Sequence, residues 1–325
     1  MTKAGFAVAG QENVLMRTPS CAVTILPHLG GKISSIRFKG HELLQAPLAP
    51  LAPRTPTMSF DASDASGWDE CLPSVAQCEV ETAAGTARIP DHGDLWRVAW
   101  EQDGKGNAKV ASGSEVVLSG KCFSLPLTLE RKIELTEGES GVHLQVQYTV
   151  NNSGRHSVPW SWAAHPLFVM APGDQILLPS SINSARVEAS ARGRLGARGD
   201  TVSWPIATLA DGRAGNLSIA QPAGSGIGDK LFAGPLAARE NWCILLRPSA
   251  GLRVKVGFDP QATPYLGLWI CYGGWPNGSG LKQMCVAPEP STTPVDSLAE
   301  TGDWSRKLAA GASYSWPFSL DLESL

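Results

Sequence analysis

From Val142 to Val150 the chain reads Val-His-Leu-Gln-Val-Gln-Tyr-Thr-Val, with the larger apolar side chains at 142, 144, 146, 148 and 150. A period of two sends successive side chains to opposite faces, so this segment predicts a strand with one buried and one wetted face. The same alternation returns at 252–258, where Leu252, Val254, Val256 and Phe258 are separated by Arg253, Lys255 and Gly257. Strands of similar length are expected at 21–26, 33–38, 127–135, 242–247, 265–271 and 313–320. No segment sustains the 3.6-residue period of a long amphipathic helix. Turn-forming residues, 34 glycines and 24 prolines, interrupt the apolar runs at short intervals. Together these features point to an all-β protein, a large antiparallel β-sandwich.

The stretch Ala46-Pro-Leu-Ala-Pro-Leu-Ala-Pro-Arg-Thr-Pro56 has the composition of a linker. Too little chain precedes it to form an independent domain of strands, so it reads as a surface loop. Residues 189–200 and 222–228 read as further glycine-rich loops. With no internal repeat, a single domain over 1–325 is expected.

Charged residues make up 18% of the 325 positions and the net charge is −3. The basic footprint of a nucleic-acid binder is missing, so no nucleic acid partner is expected. In the first ten residues a short run of small side chains gives way to Gln11-Glu12-Asn13, which falls short of a leader peptide. No segment approaches the roughly 20 apolar residues of a membrane helix. The expectation is a cytoplasmic protein without a membrane partner, and nothing in the residues selects an oligomeric state. The cysteines at 21, 71, 78, 122, 243, 271 and 285 are odd in number and contain no C-x-x-C pair, which argues against a disulfide framework or a zinc site.

Candidate chemistry gathers in four stretches that lack periodicity: Gly67-Trp-Asp-Glu-Cys-Leu-Pro-Ser74, Pro90-Asp-His-Gly-Asp-Leu-Trp-Arg97, His165-Pro-Leu-Phe168 and Pro288-Glu-Pro-Ser-Thr-Thr293. Each sets an ionisable group beside Trp, Pro or Gly, a mixture expected of rigid loops that present polar side chains next to an apolar platform. His165, in the run Pro159-Trp-Ser-Trp-Ala-Ala-His-Pro-Leu-Phe168, is either a satisfied core histidine or a proton donor in a partly dry pocket. His92 lies between Asp91 and Asp94, where a capped turn is the plain alternative, and the further ligands of a metal site are not near in sequence. Glu289 is held between two prolines, as in a stiff surface turn. Asp69 and Glu70, being adjacent, face opposite ways in an extended segment.

Taken in order, these stretches, with Gly30-Gly31-Lys-Ile near the start and Asn151-Asn-Ser153 before His165, resemble the aldose 1-epimerase (galactose mutarotase) family over about residues 12–320. The resemblance implies a galactose mutarotase-like antiparallel β-sandwich that interconverts the α and β anomers of a free sugar. It implies no metal and no organic cofactor, and a small-molecule sugar as the partner. By the motif match His165 takes the general-acid position, Glu289 the general base, and His92 the second active-site histidine. Asp229, in Gly228-Asp-Lys-Leu-Phe232, falls where the family has a hydroxyl-binding aspartate. Asp69 and Arg97 are further candidate substrate contacts, and Trp68, Trp96, Trp160 and Trp162 are candidates to stack on the sugar's C–H face.

Anomerisation requires a base at the C1 hydroxyl and an acid at the ring oxygen, which one carboxylate and one imidazole supply. On this reading His165 is expected to stay protonated near neutral pH while Glu289 stays ionised. Asp94 is expected to repel a sugar phosphate, against which Lys32 and Arg97 offer positive charge. Two other readings remain open: a sugar-binding protein without turnover, and a glycoside hydrolase pairing Glu289 with Asp69 or Glu70.

Overall fold

The structure is a computed structural model that describes residues 13–102 and 114–325; the N-terminal segment weighed above as a leader lies outside the described residues. Two antiparallel sheets dominate. The smaller runs in the order Gln175–Leu177, Trp242–Arg247, Leu252–Phe258, Ser313–Ser324, Gly141–Asn152, Leu127–Gly138, Ser114–Lys121 and Glu101–Gln102. The larger runs from Val14–Arg17 through Cys21–Leu26, Lys32–Phe38, Trp68–Cys71, Ala163–Pro166, Met284–Ser291, Tyr265–Tyr272, Ile227–Ala233 and Ser184–Ser190 to Thr201–Ser203. Among the described residues the helical elements are three-residue 3₁₀ turns, and none is long and apolar enough to cross a membrane.

The segments predicted from alternation form strands at close to the expected bounds. In Gly141–Asn152, Val142, Leu144, Val146, Tyr148 and Val150 are all buried, while the residues between them reach partial exposure. They face the larger sheet, whose Val23, Ile25, Ile33, Ile36, Leu231, Leu266 and Val286 join the same core as Leu320 and Leu322 of the smaller one. Trp68 of the larger sheet meets Phe318 of the smaller at 4.8 Å between rings. Each such core side chain, fully buried, contributes about 1.5–3 kcal/mol of hydrophobic stabilisation.

One expectation changes. Three of the four non-periodic stretches read as loops contribute to strands of the larger sheet: Trp68–Cys71, Ala163–Pro166 and Met284–Ser291. Apart from the partly exposed Met284 these strands are buried throughout, because the smaller sheet covers one face and long loops cover much of the other. Alternation disappears from a strand when both faces are dry, so neither Asp-Glu-Cys nor Ala-Pro-Glu-Pro looks like a strand in sequence.

Candidate active site

Antiparallel pairing sets His165 opposite Asp69 and Ala164 opposite Glu70. Ala164 and Glu70 point between the sheets, where Glu70 meets Arg131, so His165 points to the outer face. Two strands beyond His165, Gly267 is opposite both Glu289 and Phe232, and Trp269 is opposite Lys230. The outer face therefore carries His165, Glu289, Trp269 and Lys230, which line a cavity of about 190 Å³. Loops complete it with Phe60, Asp61, Val75, Ala76, Asp91, His92, Trp275, Gln283 and Asp296. This space lies below the roughly 300–1,000 Å³ of pockets for drug-sized ligands, in the range of a small solute.

Residues far apart in the chain thus meet. His165 Nε2 lies 3.8 Å from Glu289 Oε1. The two glutamate oxygens are unlike: Oε2 accepts from the Lys230 ammonium, whereas Oε1 is buried and has no hydrogen-bond partner among the described residues. Lys230 Nζ is also 3.5 Å from Asp296 Oδ1.

His92 arrives on a tightly folded turn. Its φ is 58°, and that of Gly93 is 68°, where a Cβ would lie 2.3 Å from the Leu72 carbonyl oxygen. Only glycine fits there without strain. The turn is pinned by Asp94 N donating to the Leu72 carbonyl at 2.8 Å and by Arg97, whose guanidinium donates to the carbonyls of Met58 (2.9 Å), Asp91 (2.6 Å) and Gly93. So held, the His92 ring stacks on Phe60 at 3.7 Å, meets His165 edge-on at 5.3 Å, and sets Nδ1 2.8 Å from Asp91 Oδ2.

The electrostatics depart from the protonation expected of His165. Burial, then the nearby His92, Lys230 and Lys32, push its pKa well below the ordinary imidazole value, so it is neutral at pH 7. Burial also raises the Glu289 carboxyl, outweighing the opposing pull of Lys230. Asp91 is held low: burial works against its charge, but the bond to His92 and the charges of His92 and Arg97 prevail.

The expected substrate contacts are placed elsewhere. Asp229, one residue before Lys230, faces the other way, accepting from Ser190 Oγ at 2.7 Å and Arg194 Nε at 3.1 Å. Asp69 holds Lys32 at 2.6 Å. Arg97 is spent on the His92 turn and lies 4.2 Å above the Trp96 ring. Trp68 and Trp160 sit in the core between the sheets; Trp162 does too, donating to Glu70 Oε2 at 3.0 Å. Trp96 is buried behind Phe60. None of these lines the cavity.

Asp94 is no wall of the cavity either. It is fully buried, and its Oδ2 accepts from the Phe123 and Ser124 amides at 3.0 and 2.8 Å. The expected repulsion of a sugar phosphate by Asp94 therefore lapses, and so does its attraction by Lys32 or Arg97. The carboxylate pair of a glycoside hydrolase is also lacking as drawn, because Asp69 and Glu70 both lie off the cavity.

Sequence reasoning missed Phe60, Lys230, Trp269, Trp275, Gln283 and Asp296. Lys230 had a signal in its place beside Asp229, since a one-residue change of phase exchanges the faces. Trp269 stood within the predicted strand 265–271. For Phe60, Gln283 and Asp296 the local sequence carries no such mark.

Neither a protein-family model nor a curated protein matches the chain. Solved structures do. The chain is similar over its whole length to the Slr1438 protein of Synechocystis sp. PCC 6803, with 17% identity, all of that chain covered and a TM-score of 0.71. A galactose mutarotase-like protein from Lactobacillus casei ATCC 334 matches 96% of this chain and all of its own, with 16% identity and a TM-score of 0.66. The GalM/aldose epimerase homologue from C. elegans matches 97% of this chain and 99% of its own, with 9% identity and a TM-score of 0.64. The chain has the galactose mutarotase-like fold; at these identities the likeness speaks for the fold alone.

Proposed function

We propose that this protein is an aldose 1-epimerase, a mutarotase acting on a free aldose without metal or organic cofactor. The observation that carries the reading is the bare Glu289 Oε1, buried in the cavity 3.8 Å from His165 Nε2. A proton acceptor and a proton carrier stand together with unspent valence, beside aromatic surfaces suited to a sugar's C–H face.

On this reading Glu289 Oε1 takes the proton of the C1 hydroxyl while protonated His165 delivers its own proton to the ring oxygen, and the C1–O5 bond opens. Rotation about C1–C2 presents the other carbonyl face, and closure returns both protons. Because burial weakens His165 as a base, its imidazolium is a stronger acid than usual, present in a minority of molecules at neutral pH. His92, its ring fixed by Asp91 and Phe60, borders the same space and is assigned to the ring-oxygen side. Phe60, Trp269 and Trp275 are assigned the stacking role that the sequence had given to Trp68, Trp96, Trp160 and Trp162.

Saturation-transfer NMR or polarimetry with a panel of aldoses tests this. At least one sugar should exchange anomers faster than in buffer, and Glu289→Gln should lower that rate by about 10²–10⁴-fold. Exchange of every aldose at the buffer rate, with the protein folded, defeats the proposal. The ion pair on Glu289 favours one other reading, a sugar-binding protein without turnover, because an ammonium on Oε2 weakens the carboxylate as a base. That reading requires sugar binding that survives Glu289→Gln with no exchange to lose.

A further inference from the structure

Lys230 has no role in the chemistry above, yet it is a buried ammonium facing the cavity. Its side chain crosses an intervening strand to reach Glu289. Lys230 is on Ile227–Ala233 and Glu289 on Met284–Ser291, with Tyr265–Tyr272 between them. On that strand Gly267 is opposite both Glu289 and Phe232, and a Cβ there would lie 3.2 Å from the Phe232 ring and 3.3 Å from Glu289 Cβ. A larger side chain there would press on Glu289 itself.

A second carboxylate stands beside the same ammonium. Asp296, 3.5 Å away, is fixed through its backbone carbonyl, which accepts from the amides of Val75 (3.0 Å) and Ala76 (2.8 Å) and from Ser74 Oγ (3.1 Å). The ammonium thus lies between two carboxylates, and it engages one oxygen of Glu289 while the other has no partner among the described residues.

We propose that Lys230 is a positioning residue: by occupying Oε2 it orients Glu289 so that Oε1 alone faces the substrate, and its charge keeps that carboxylate ionised in a buried site. The proposal rests on the mutarotase reading for its catalytic meaning but not for its electrostatics. The groups around Glu289 are Lys230, Asp296, His92, His165 and the buried thiols of Cys71 and Cys285. Of these, Lys230 is the one permanent cation at neutral pH, while Asp296 repels. Without the ammonium, burial and Asp296 act together to protonate Glu289.

The test follows the Glu289 carboxyl by ¹³C NMR in glutamate-labelled protein across pH, for the full-length chain, Lys230→Met and Lys230→Arg. Its signal is assigned by its loss in Glu289→Gln. Kinetics of anomer exchange are measured in parallel. In Lys230→Met the Glu289 titration should move to higher pH, and the acid limb of kcat/KM should move with it. The resulting loss, about 10²–10⁴-fold where Glu289 is protonated, should shrink as pH rises, and Lys230→Arg should restore most of it. Should Lys230→Met fail to fold, Lys230→Gln, which keeps a donor without the charge, carries the same measurement. An unmoved Glu289 titration in a folded, charge-free variant overturns the proposal. Absence of exchange in the unmodified protein would instead count against the mutarotase reading, leaving the carboxyl titration to judge Lys230 by itself.

Discussion

Replacing Arg131 by Met probes the floor on which the site is built. Arg131 and Glu70 are both fully buried between the sheets, with Arg131 Nη1 donating to Glu70 Oε1 at 3.0 Å. Tyr148 Oη donates to the same oxygen at 2.7 Å and Trp162 Nε1 to Oε2 at 3.0 Å. Arg131 also donates to the Gly31 carbonyl and lies 4.9 Å from the Trp100 ring. Methionine fills similar space but leaves a buried carboxylate without its counter-charge, a loss of about 3–5 kcal/mol. With an unfolding entropy of about 2.1 cal/mol/K per residue, that lowers the melting temperature of a 325-residue chain by roughly 4–7 °C.

The pH dependence identifies the cause. Burial already raises the Glu70 carboxyl to about 6. Without Arg131 it rises further, so the folded variant takes up a proton that the unfolded chain, with a carboxyl near 4.3, does not hold. A state that binds more protons is favoured as pH falls. The variant's deficit should therefore narrow as pH falls from 8 toward 6, the value above which wild-type Glu70 stays largely ionised. Urea unfolding followed by tryptophan fluorescence at pH 8.0, 7.0 and 6.0 gives both quantities. Adding Glu70→Gln removes the buried charge while an amide oxygen still accepts from Tyr148. The double variant should thus lose less than the two single variants combined, by about 1–3 kcal/mol. A deficit in Arg131→Met below about 1 kcal/mol, equal at all three pH values, refutes the reasoning.

Two further outcomes are expected. Gly93→Ala should cost about 1–2 kcal/mol for its left-handed backbone alone; because its Cβ would collide with the Leu72 carbonyl, the turn must also shift and carry His92 out of place. Anomer exchange should fall more than stability does, and a variant with full exchange would show that the His92 turn is not needed in this geometry. His165→Gln addresses acid stability: the unfolded imidazole binds a proton as pH drops through about 6.5 while the buried one resists. Wild type should therefore lose stability below pH 6.5, and the variant should lose it less steeply in urea melts from pH 7.5 to 5.0. Parallel curves would count against a neutral, buried His165.

The class of architecture is legible in the chain because half-buried strands announce themselves. Val142–Val150 and Leu252–Phe258 alternate since one face meets the core and the other meets water, and short turns rich in Gly and Pro favour antiparallel neighbours. The motifs also carried His92, His165 and Glu289 as candidates, three residues whose spacing in sequence gives no hint of their meeting. What escaped was orientation. In Ile227–Ala233 every residue is buried, so polarity does not distinguish the cavity face from the core face; the motif match points to Asp229, whereas Lys230 lines the cavity. The tryptophans beside the motifs failed for the same reason, with Trp68, Trp160 and Trp162 drawn between the sheets by their apolar area.

Residue order alone yields a list of strands and a short list of ionisable side chains. Which of those side chains share a cavity was decided by strand order and register, contacts between segments far apart in the chain. A strand's own residues encode its period, but its phase relative to core and cavity depends on what covers each face, and here both faces of the central strands are covered by distant parts of the protein.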